Sequence, residues 1–329
     1  MTRRIVITGG AGFLGSHLSD HFIARGDEVV AIDNEVTGRR QNIAHLESHP
    51  RFTFLKHDVT TGLPIDGPVD LILHMASLAS PPFYKKHPVE TLDVGSVGTR
   101  NCLELARRTG ARCVFASTSE VYGDPLESPQ SESYWGNVNP TGPRSMYDES
   151  KRYGEALMTA YRKAHGVNTG ILRIFNTYGP RMRWDDGRVV TSFLVQVLRG
   201  EPLTIHGDGN QTRSFCFVGD LVDGITRFAA TDHPGPMNFG NPDNEMTIRT
   251  LAERTCAVFG VPLVSSPPLP RQDENDPMQR RPDISLAQQV LGWTPTTPLD
   301  EGLKVTYAYL ETELGAGKRG EPQTTRGQS

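Results

Sequence analysis

Tyr147 and Lys151 stand four residues apart, a spacing that sets both side chains on one face of a helix. An ammonium beside a phenol stabilises the phenolate, so a tyrosine in such a pair can take a proton near neutral pH. Upstream, Thr118 ends the run Arg112 to Ser117, where a strand end would offer its hydroxyl to the same proton. Further upstream, Gly9, Gly12 and Gly15 follow the apolar run Ile5 to Ile7. In a turn from strand to helix the first permits the tight bend, the second lets backbone approach a pyrophosphate, and the third lets helix and strand pack closely. The helix N-terminus beyond them offers free N–H groups and partial positive charge to phosphates. Asp33 ends the next apolar run, Glu28 to Ile32. Its carboxylate can accept from a ribose diol and repels a 2′-phosphate, which favours NAD over NADP. Arg39 and Arg40 are the nearby cations that could otherwise accommodate that phosphate. Glycine fingerprint, strand-end hydroxyl and Tyr-x-x-x-Lys, in that order, describe a hydride-transfer site.

The elements that must position these groups alternate along the chain. Strands are predicted at Ile5 to Ile7, Glu28 to Ile32, Phe52 to Leu55, Leu71 to Leu73, Arg112 to Ala116 and Thr169 to Ile174. Helices are predicted from Gly12 to Arg25, Pro88 to Thr109 and Tyr147 to His165, the last with Tyr153, Leu157, Ala160, Tyr161 and Ala164 along one face. This alternation predicts an α/β fold: a Rossmann-type doubly wound parallel sheet with a smaller C-terminal substrate-binding lobe. The expected division is a dinucleotide-binding domain over 1–177 plus about 213–235, a lobe over 178–212 and 236–311, and a disordered tail over 312–329. Phe215 to Val218 reads as the buried strand that returns to the first domain.

Composition excludes several other classes. The 329 residues are 36% hydrophobic and carry a net charge of −4, so there is core enough to fold and no basic footprint for nucleic acid or an anionic membrane. No apolar run approaches the ~18–20 residues of a membrane span, and the run after Arg3-Arg4 stops at Gly9, too short for a signal peptide. Four cysteines, at 102, 113, 216 and 256, form no CxxC pair and no zinc-type cluster with histidine, so no metal is expected. Free thiols in a reducing, cytoplasmic setting follow.

Longer stretches carry a resemblance. Ala116-Ser117-Thr118-Ser119-Glu120-Val121-Tyr122-Gly123-Asp124-Pro125, Asn139-Pro140-Thr141-Gly142-Pro143-Arg144, Arg173 to Met182, Asp186-Gly187-Arg188-Val189-Val190 and Arg280-Arg281-Pro282-Asp283-Ile284 resemble the extended short-chain dehydrogenase/reductases that act on nucleotide sugars. The match covers about residues 4–312 and is nearest to the UDP-glucuronate decarboxylase branch. It implies NAD as cofactor, a UDP-sugar as substrate, and a homodimer built on helices 88–109 and 147–165. Tyr147 would be the base at the sugar C4 hydroxyl, with Lys151 tuning it and Thr118 sharing the hydrogen bond. Ser119, Glu120 and Arg280 would serve the later steps, Arg280 near the sugar carboxylate. Asn176 would touch the diphosphate; Arg188, Gln211 and Arg213 would lie along UDP; Val190 and Leu203 would pack near uracil. Phe13, Leu14, Asn34, Gly38, Asp58, Val59 and Ala76 would join the three glycines and Asp33 on the cofactor side.

Two positions depart from the pattern. Related enzymes usually carry Asn where this chain has Gly95, and Pro where it has Leu78. Among the cousins, a 4,6-dehydratase usually carries Asp-Glu after the Thr, and a 4-epimerase usually lacks the Glu. Ser119-Glu120 fits neither. Loss of carbon dioxide from a β-keto acid needs neither a strong acid nor a strong base. The alternatives are a dehydratase or epimerase, and, in another class, a non-catalytic NAD- or nucleotide-sugar-binding regulator, which would be expected to lose Tyr147 or Lys151.

Overall fold

The computed structural model describes residues 2–264, 270 and 276–317. The first half runs β1 (Arg4–Thr8), α1 (Phe13–Arg25), β2 (Glu28–Asp33), β3 (Phe52–Lys56), β4 (Leu71–His74), α2 (Pro81–Lys86), α3 (Pro88–Asp93), α4 (Thr99–Thr109), β5 (Arg112–Thr118), α5 (Ser145–His165) and β6 (Thr169–Ile174). The second half runs β7 (Thr177–Tyr178), α6 (Val189–Arg199), β8 (Thr212–Ser214), β9 (Cys216–Phe217), α7 (Val218–Ala229), β10 (Met237–Phe239), β11 (Glu245–Thr247), α8 (Ile248–Phe259), α9 (Ser285–Leu291) and α10 (Leu299–Gly317).

Seven strands form one sheet in the order β3-β2-β1-β4-β5-β6-β10, every pair parallel. The order reverses between β1 and β4, and in such sheets the crevice at that reversal, beyond the strands' carboxyl ends, takes the ligand. Register brings Thr8 level with Ile32 and His74, and Thr118 level with Ile174. The residues that follow these strands therefore converge on one edge.

Ile5, Ile7, Val29, Ala31, Leu71, Leu73 and Val114 face α1, α7 and α9 on one side of the sheet; Val6, Val30, Ile72, Cys113 and Phe115 face α4 and α5 on the other. Continuously apolar strands are what a parallel sheet covered on both faces requires. A third cluster joins α6, α8 and α10 through Phe193, Leu194, Leu251, Leu303 and Leu310, and forms the core of the smaller lobe.

The returning segment differs from the sequence expectation. The strand at 216–217 pairs with β7 and not with the main sheet; β10 is the strand that joins it. Met237, Phe239, Ile284, Ala287 and Trp293 also pack into the first core, although 236–311 reads as lobe in the sequence. Helix α10 continues to Gly317, taking in the first residues of the expected tail, and 318–329 lie outside the described residues.

Helix α5 buries Tyr147, Lys151, Gly154 and Met158, one stripe at i, i+4, i+7 and i+11, against β5. The stripe expected from the sequence points elsewhere: Tyr153, Ala160 and Ala164 are exposed, and Leu157 and Tyr161 are half-buried. The helix predicted over 88–109 is continuous but holds a π turn at Val94–Gly98. There Gly95 presses against α5, and a Cβ on it would lie 2.6 Å from Ser150 Cβ and 2.7 Å from Ser150 O. The missing asparagine thus leaves no gap, because backbone occupies the place of its side chain. Gly95→Asn is expected to lower stability by about 1–3 kcal/mol, the usual range for overpacking a close contact. Thermal unfolding of the variant at or above the wild-type temperature would disprove this packing argument.

Candidate functional site

The cavity at the carboxyl edge of the sheet measures about 550 Å³ and runs from the glycine turn to the smaller lobe. Its dinucleotide end is built from β1 and α1. Gly12 is the N-cap of α1 and offers no capping side chain, so the first helical N–H groups stay open to a ligand. A Cβ on Gly15 would lie 2.1 Å from Gly9 O, so only glycine lets this helix sit so close to the turn. Asp33 is buried; Oδ2 accepts from Ala11 N at 3.1 Å and Oδ1 from Glu35 N at 2.8 Å. Burial pushes its pKa up, against those two hydrogen bonds. A bare helix N-terminus, a cradle that any side chain would fill and a carboxylate at the end of β2 fit a dinucleotide.

Phe13, Leu14, Asn34, Val59 and Ala76 line this end with Gly9, Gly12, Gly15 and Asp33. Asp58 and Gly38 stand behind it. Asp58 caps the turn at Val59–Thr61 and accepts from Asn34 Nδ2 at 3.0 Å, and Gly38 backs directly onto the Asp33 carboxylate.

In the middle of the cavity α5 presents Tyr147 beside Thr118, whose hydroxyl hydrogen-bonds the phenol. Lys151 Nζ donates to Ala116 O at 2.7 Å, which ties α5 to β5, and lies 5.8 Å from the Tyr147 ring centroid. The expected drop in the phenol pKa does not occur. Burial pushes Tyr147 up to about 12, with the Glu120 charge adding to it, while the Thr118 hydrogen bond and Arg188 pull the other way. Burial also takes Lys151 down to about 7, so the ammonium is itself only weakly held. The pair shares one helical face, as its spacing predicts, and burial moves both groups toward their neutral forms.

Beyond Tyr147 lies an ionic cluster. Burial alone would raise the Glu120 pKa; Arg144, Arg280 and Arg213 overcome it and hold the carboxyl down at about 2. Arg144 Nη2 donates to Glu120 Oε2 at 2.5 Å, and Arg280 Nη1 pairs with Oε1. Arg280 is 1% exposed; it also donates to Ser119 Oγ at 3.1 Å and to Gly123 O at 3.0 Å. It stands behind Glu120, out of the cavity wall, and not at the place expected for a group touching a sugar carboxylate. Asp276 joins Arg213, at 2.8 Å, to Arg144, at 3.2 Å.

At the lobe end Asn176, Arg188, Gln211 and Arg213 line the cavity as expected. Val190 and Leu203 do not: both are buried in the lobe core, and their neighbours Val189 and Thr204 face the cavity instead. On α6 and on the strand-like run after it, a one-residue shift exchanges the core face for the open one.

Arg144 and Tyr84 are among the wall residues to which the sequence alone assigns no role. Arg144 lies one helical turn before Tyr147, a spacing that was legible. Tyr84 stacks on Tyr147 with ring centroids 5.2 Å apart and an interplanar angle of 9°, a long-range contact without a sequence signal. Leu78, the second departure, is buried on the cavity wall, where it packs in the apolar cluster that includes Tyr84 and Tyr147.

Comparison with known proteins agrees with this geometry. Residues 5–240 match the NAD dependent epimerase/dehydratase family. UDP-glucuronic acid decarboxylase 1 of Arabidopsis thaliana is 54% identical over 300 residues, 91% of this chain and 68% of that protein. The crystal structure of UDP-glucuronic acid 4-epimerase from Bacillus cereus, in complex with UDP-glucuronic acid and NAD, superposes with a TM-score of 0.84 at 28% identity, covering 94% of this chain and 99% of that one. A dTDP-glucose 4,6-dehydratase from Streptomyces venezuelae, with NAD bound, gives 0.86 at 26% identity over 95% and 98%.

Proposed function

The chain belongs to the NAD dependent epimerase/dehydratase family, and we propose that within it the chain decarboxylates UDP-glucuronate to UDP-xylose. The observation that carries this reading is Glu120 locked as an anion on the cavity wall between Arg144 and Arg280, next to a serine and one turn of chain from Thr118. A dehydratase needs an acid for the departing C6 hydroxyl and a base for the C5 proton. Ser119 supplies no acid, and a carboxylate held near pKa 2 is a weak base. A simple 4-epimerase needs no carboxylate at the position of Glu120 beside the Tyr147–Thr118 pair. Relatives such as the Arabidopsis decarboxylase, about half identical over most of the chain, support the same choice.

Gly9, Gly12, Gly15 and Asp33 would hold NAD, which when bound would supply the hydride acceptor, and later the hydride donor, for the sugar C4. Tyr147 acts as the phenolate, which its Thr118 hydrogen bond and the Arg188 charge favour, and takes the C4 hydroxyl proton on Oη. With C4 a ketone, the C5–C6 electron pair moves into the C4–C5 bond and carbon dioxide leaves. Tyr147 and Thr118 then face the developing C4 oxyanion with hydroxyl donors. Glu120, pinned by Arg144, orients the ring or a water for return of a proton to C5. Asn176, Arg188, Gln211 and Arg213 hold the UDP part.

The reaction is expected to leave an isotopic signature. Run in deuterated water on UDP-glucuronate, it should give UDP-xylose with one deuterium at C5 and none at C4. The first follows because the C5–C6 bond breaks and C5–H does not; the second because the C4 hydrogen is returned and not exchanged. Mass spectrometry and NMR of the product test this. Deuterium at C4, or a released 4-keto product, would defeat the proposed sequence.

Assembly as a homodimer through helices 88–109 and α5 is part of the proposal. Val89, Leu92, Val97 and Tyr153 are exposed apolar groups on those elements, and the stripe of α5 that turns from the sheet needs a cover. Among the described residues no helix is long and apolar enough to cross a membrane. The four cysteines are buried and unpaired, which fits a reducing compartment such as the cytoplasm.

A further inference from the structure

Asp33 and Arg39 bracket the same piece of the glycine turn. Ala11 N donates to Asp33 Oδ2 at 3.1 Å, and Ala11 O accepts from Arg39 N at 2.9 Å. Arg39 therefore leaves the chain beside the carboxylate that reads the ribose. A guanidinium free at such a place is the group that receives a 2′-phosphate.

Here it is occupied. Glu313, near the end of α10, pairs with Arg39 Nη1 and accepts from Nη2 at 3.1 Å, and Tyr309 Oη accepts from Nη2 at 3.2 Å. The pair is largely buried, with 16% and 12% of the two side chains exposed. Arg40 is engaged as well: it pairs with Glu47, and its guanidinium lies 4.2 Å from the Phe54 ring centroid. Both cations that the sequence offers to a phosphate are paired with carboxylates, and neither lines the cavity. The helix that turns Arg39 is anchored by Leu299, Leu303 and Leu310 in the core of the smaller lobe, 274 residues along the chain from the cation it holds.

We propose that Glu313 is a cofactor-specificity residue: by holding Arg39 on α10 it withdraws the cation that would accept a 2′-phosphate, so selection of NAD rests on Asp33 and Glu313 together. Asp33 repels the phosphate, and Glu313 removes its partner. The inference rests on the dinucleotide site described above and is independent of the sugar chemistry.

The test is a binding cycle on the full chain: wild type, Glu313→Gln, Arg39→Ala and the double variant, each titrated with NAD and with NADP by calorimetry. Glu313→Gln is expected to improve NADP binding relative to NAD by roughly tenfold, the scale of one charge-assisted phosphate contact in a site where Asp33 still opposes it. Arg39→Ala alone should leave the ratio at its wild-type value, and the double variant should lose the gain. A purely structural role for Glu313 would weaken both dinucleotides together and leave the ratio unmoved. An unchanged ratio in Glu313→Gln, or a gain that survives in the double variant, overturns the proposal. Glu313→Ala, which also removes the carboxylate, is the second variant should the glutamine form fail to fold; an unchanged ratio there counts equally against the idea. If the wild-type chain binds neither dinucleotide, the failure lies with the cofactor reading instead.

Discussion

Tyr147→Phe is expected to lower turnover by about 10²–10⁴-fold, the usual contribution of a positioned acid–base group, while dinucleotide binding stays near wild type. The reason lies in what the substitution removes. The ring keeps its stack on Tyr84 and its place in the apolar cluster beside Phe115, so the fold and the cavity wall remain. Only the hydroxyl that faces Thr118 goes, and with it the route for the C4 proton. In the free protein this phenol is hard to ionise, because burial holds it near 12 and the Glu120 charge works the same way. The groups that favour the phenolate are the Thr118 hydrogen bond and the Arg188 charge. Thr118→Ala should therefore share part of the loss, and the two substitutions together should cost less than the product of their separate effects, because both act on one proton. Pre-steady-state rates and dinucleotide titration of the two variants decide it. A Tyr147→Phe protein turning over at near the wild-type rate would remove Tyr147 from the mechanism.

The local parts of this site were legible in the sequence because their spacing is set by one element. Gly9, Gly12 and Gly15 belong to one turn, Tyr147 and Lys151 to one helix face, and Thr118 to one strand end; each lines the cavity. The parallel sheet was legible too, since strands buried on both faces must be continuously apolar. What could not be read depends on contacts across the chain. Arg280 reaches Ser119 over 161 residues, and Arg39 reaches Glu313 over 274. No pattern in either stretch announces the other. The one-residue errors at Val190 and Leu203 have a different origin: both sit in apolar runs, and which side of such a run faces the cavity is decided by the packing of α6 against α8 and α10. Which face of α5 meets the sheet is settled in the same way, and the stripe read from the sequence is the one left facing away from it. Tyr153, Leu157 and Tyr161 are larger than Gly154, yet the small residue faces the sheet, because the Phe115 ring leaves no room there for a Cβ. Size and hydropathy name a face only where the partner surface is flat enough to take it.

Glu120→Gln is expected to act on stability and on chemistry at once. The substitution keeps the shape of the side chain but leaves Arg144 and Arg280 without the carboxylate they share. Breaking a buried pair from one side costs about 3–5 kcal/mol; the low end applies here, because Glu120 keeps some contact with the cavity and Arg144 keeps Asp276. The pH dependence has a definite sign. Folding lowers the Glu120 pKa from 4.5 to about 2, so between those values the unfolded chain binds more protons than the folded one. The stability that Glu120 contributes is thus fully present above about 4.5 and is lost as pH falls toward 2. Denaturant unfolding should show wild type and variant well apart at pH 7 and converging in acid. A gap that stays constant down to pH 2 would mean that the charge is not the source of the effect. On the chemical side, removing a negative charge near Tyr147 makes the phenolate easier to form, so the acidic limb of the pH–rate profile should move to lower pH even as the later steps slow. Asp148, which burial and then Glu120 push up to about 7, should fall for the same reason. If the Michaelis constant alone changes and the acidic limb stays in place, Glu120 serves binding and not the steps after oxidation.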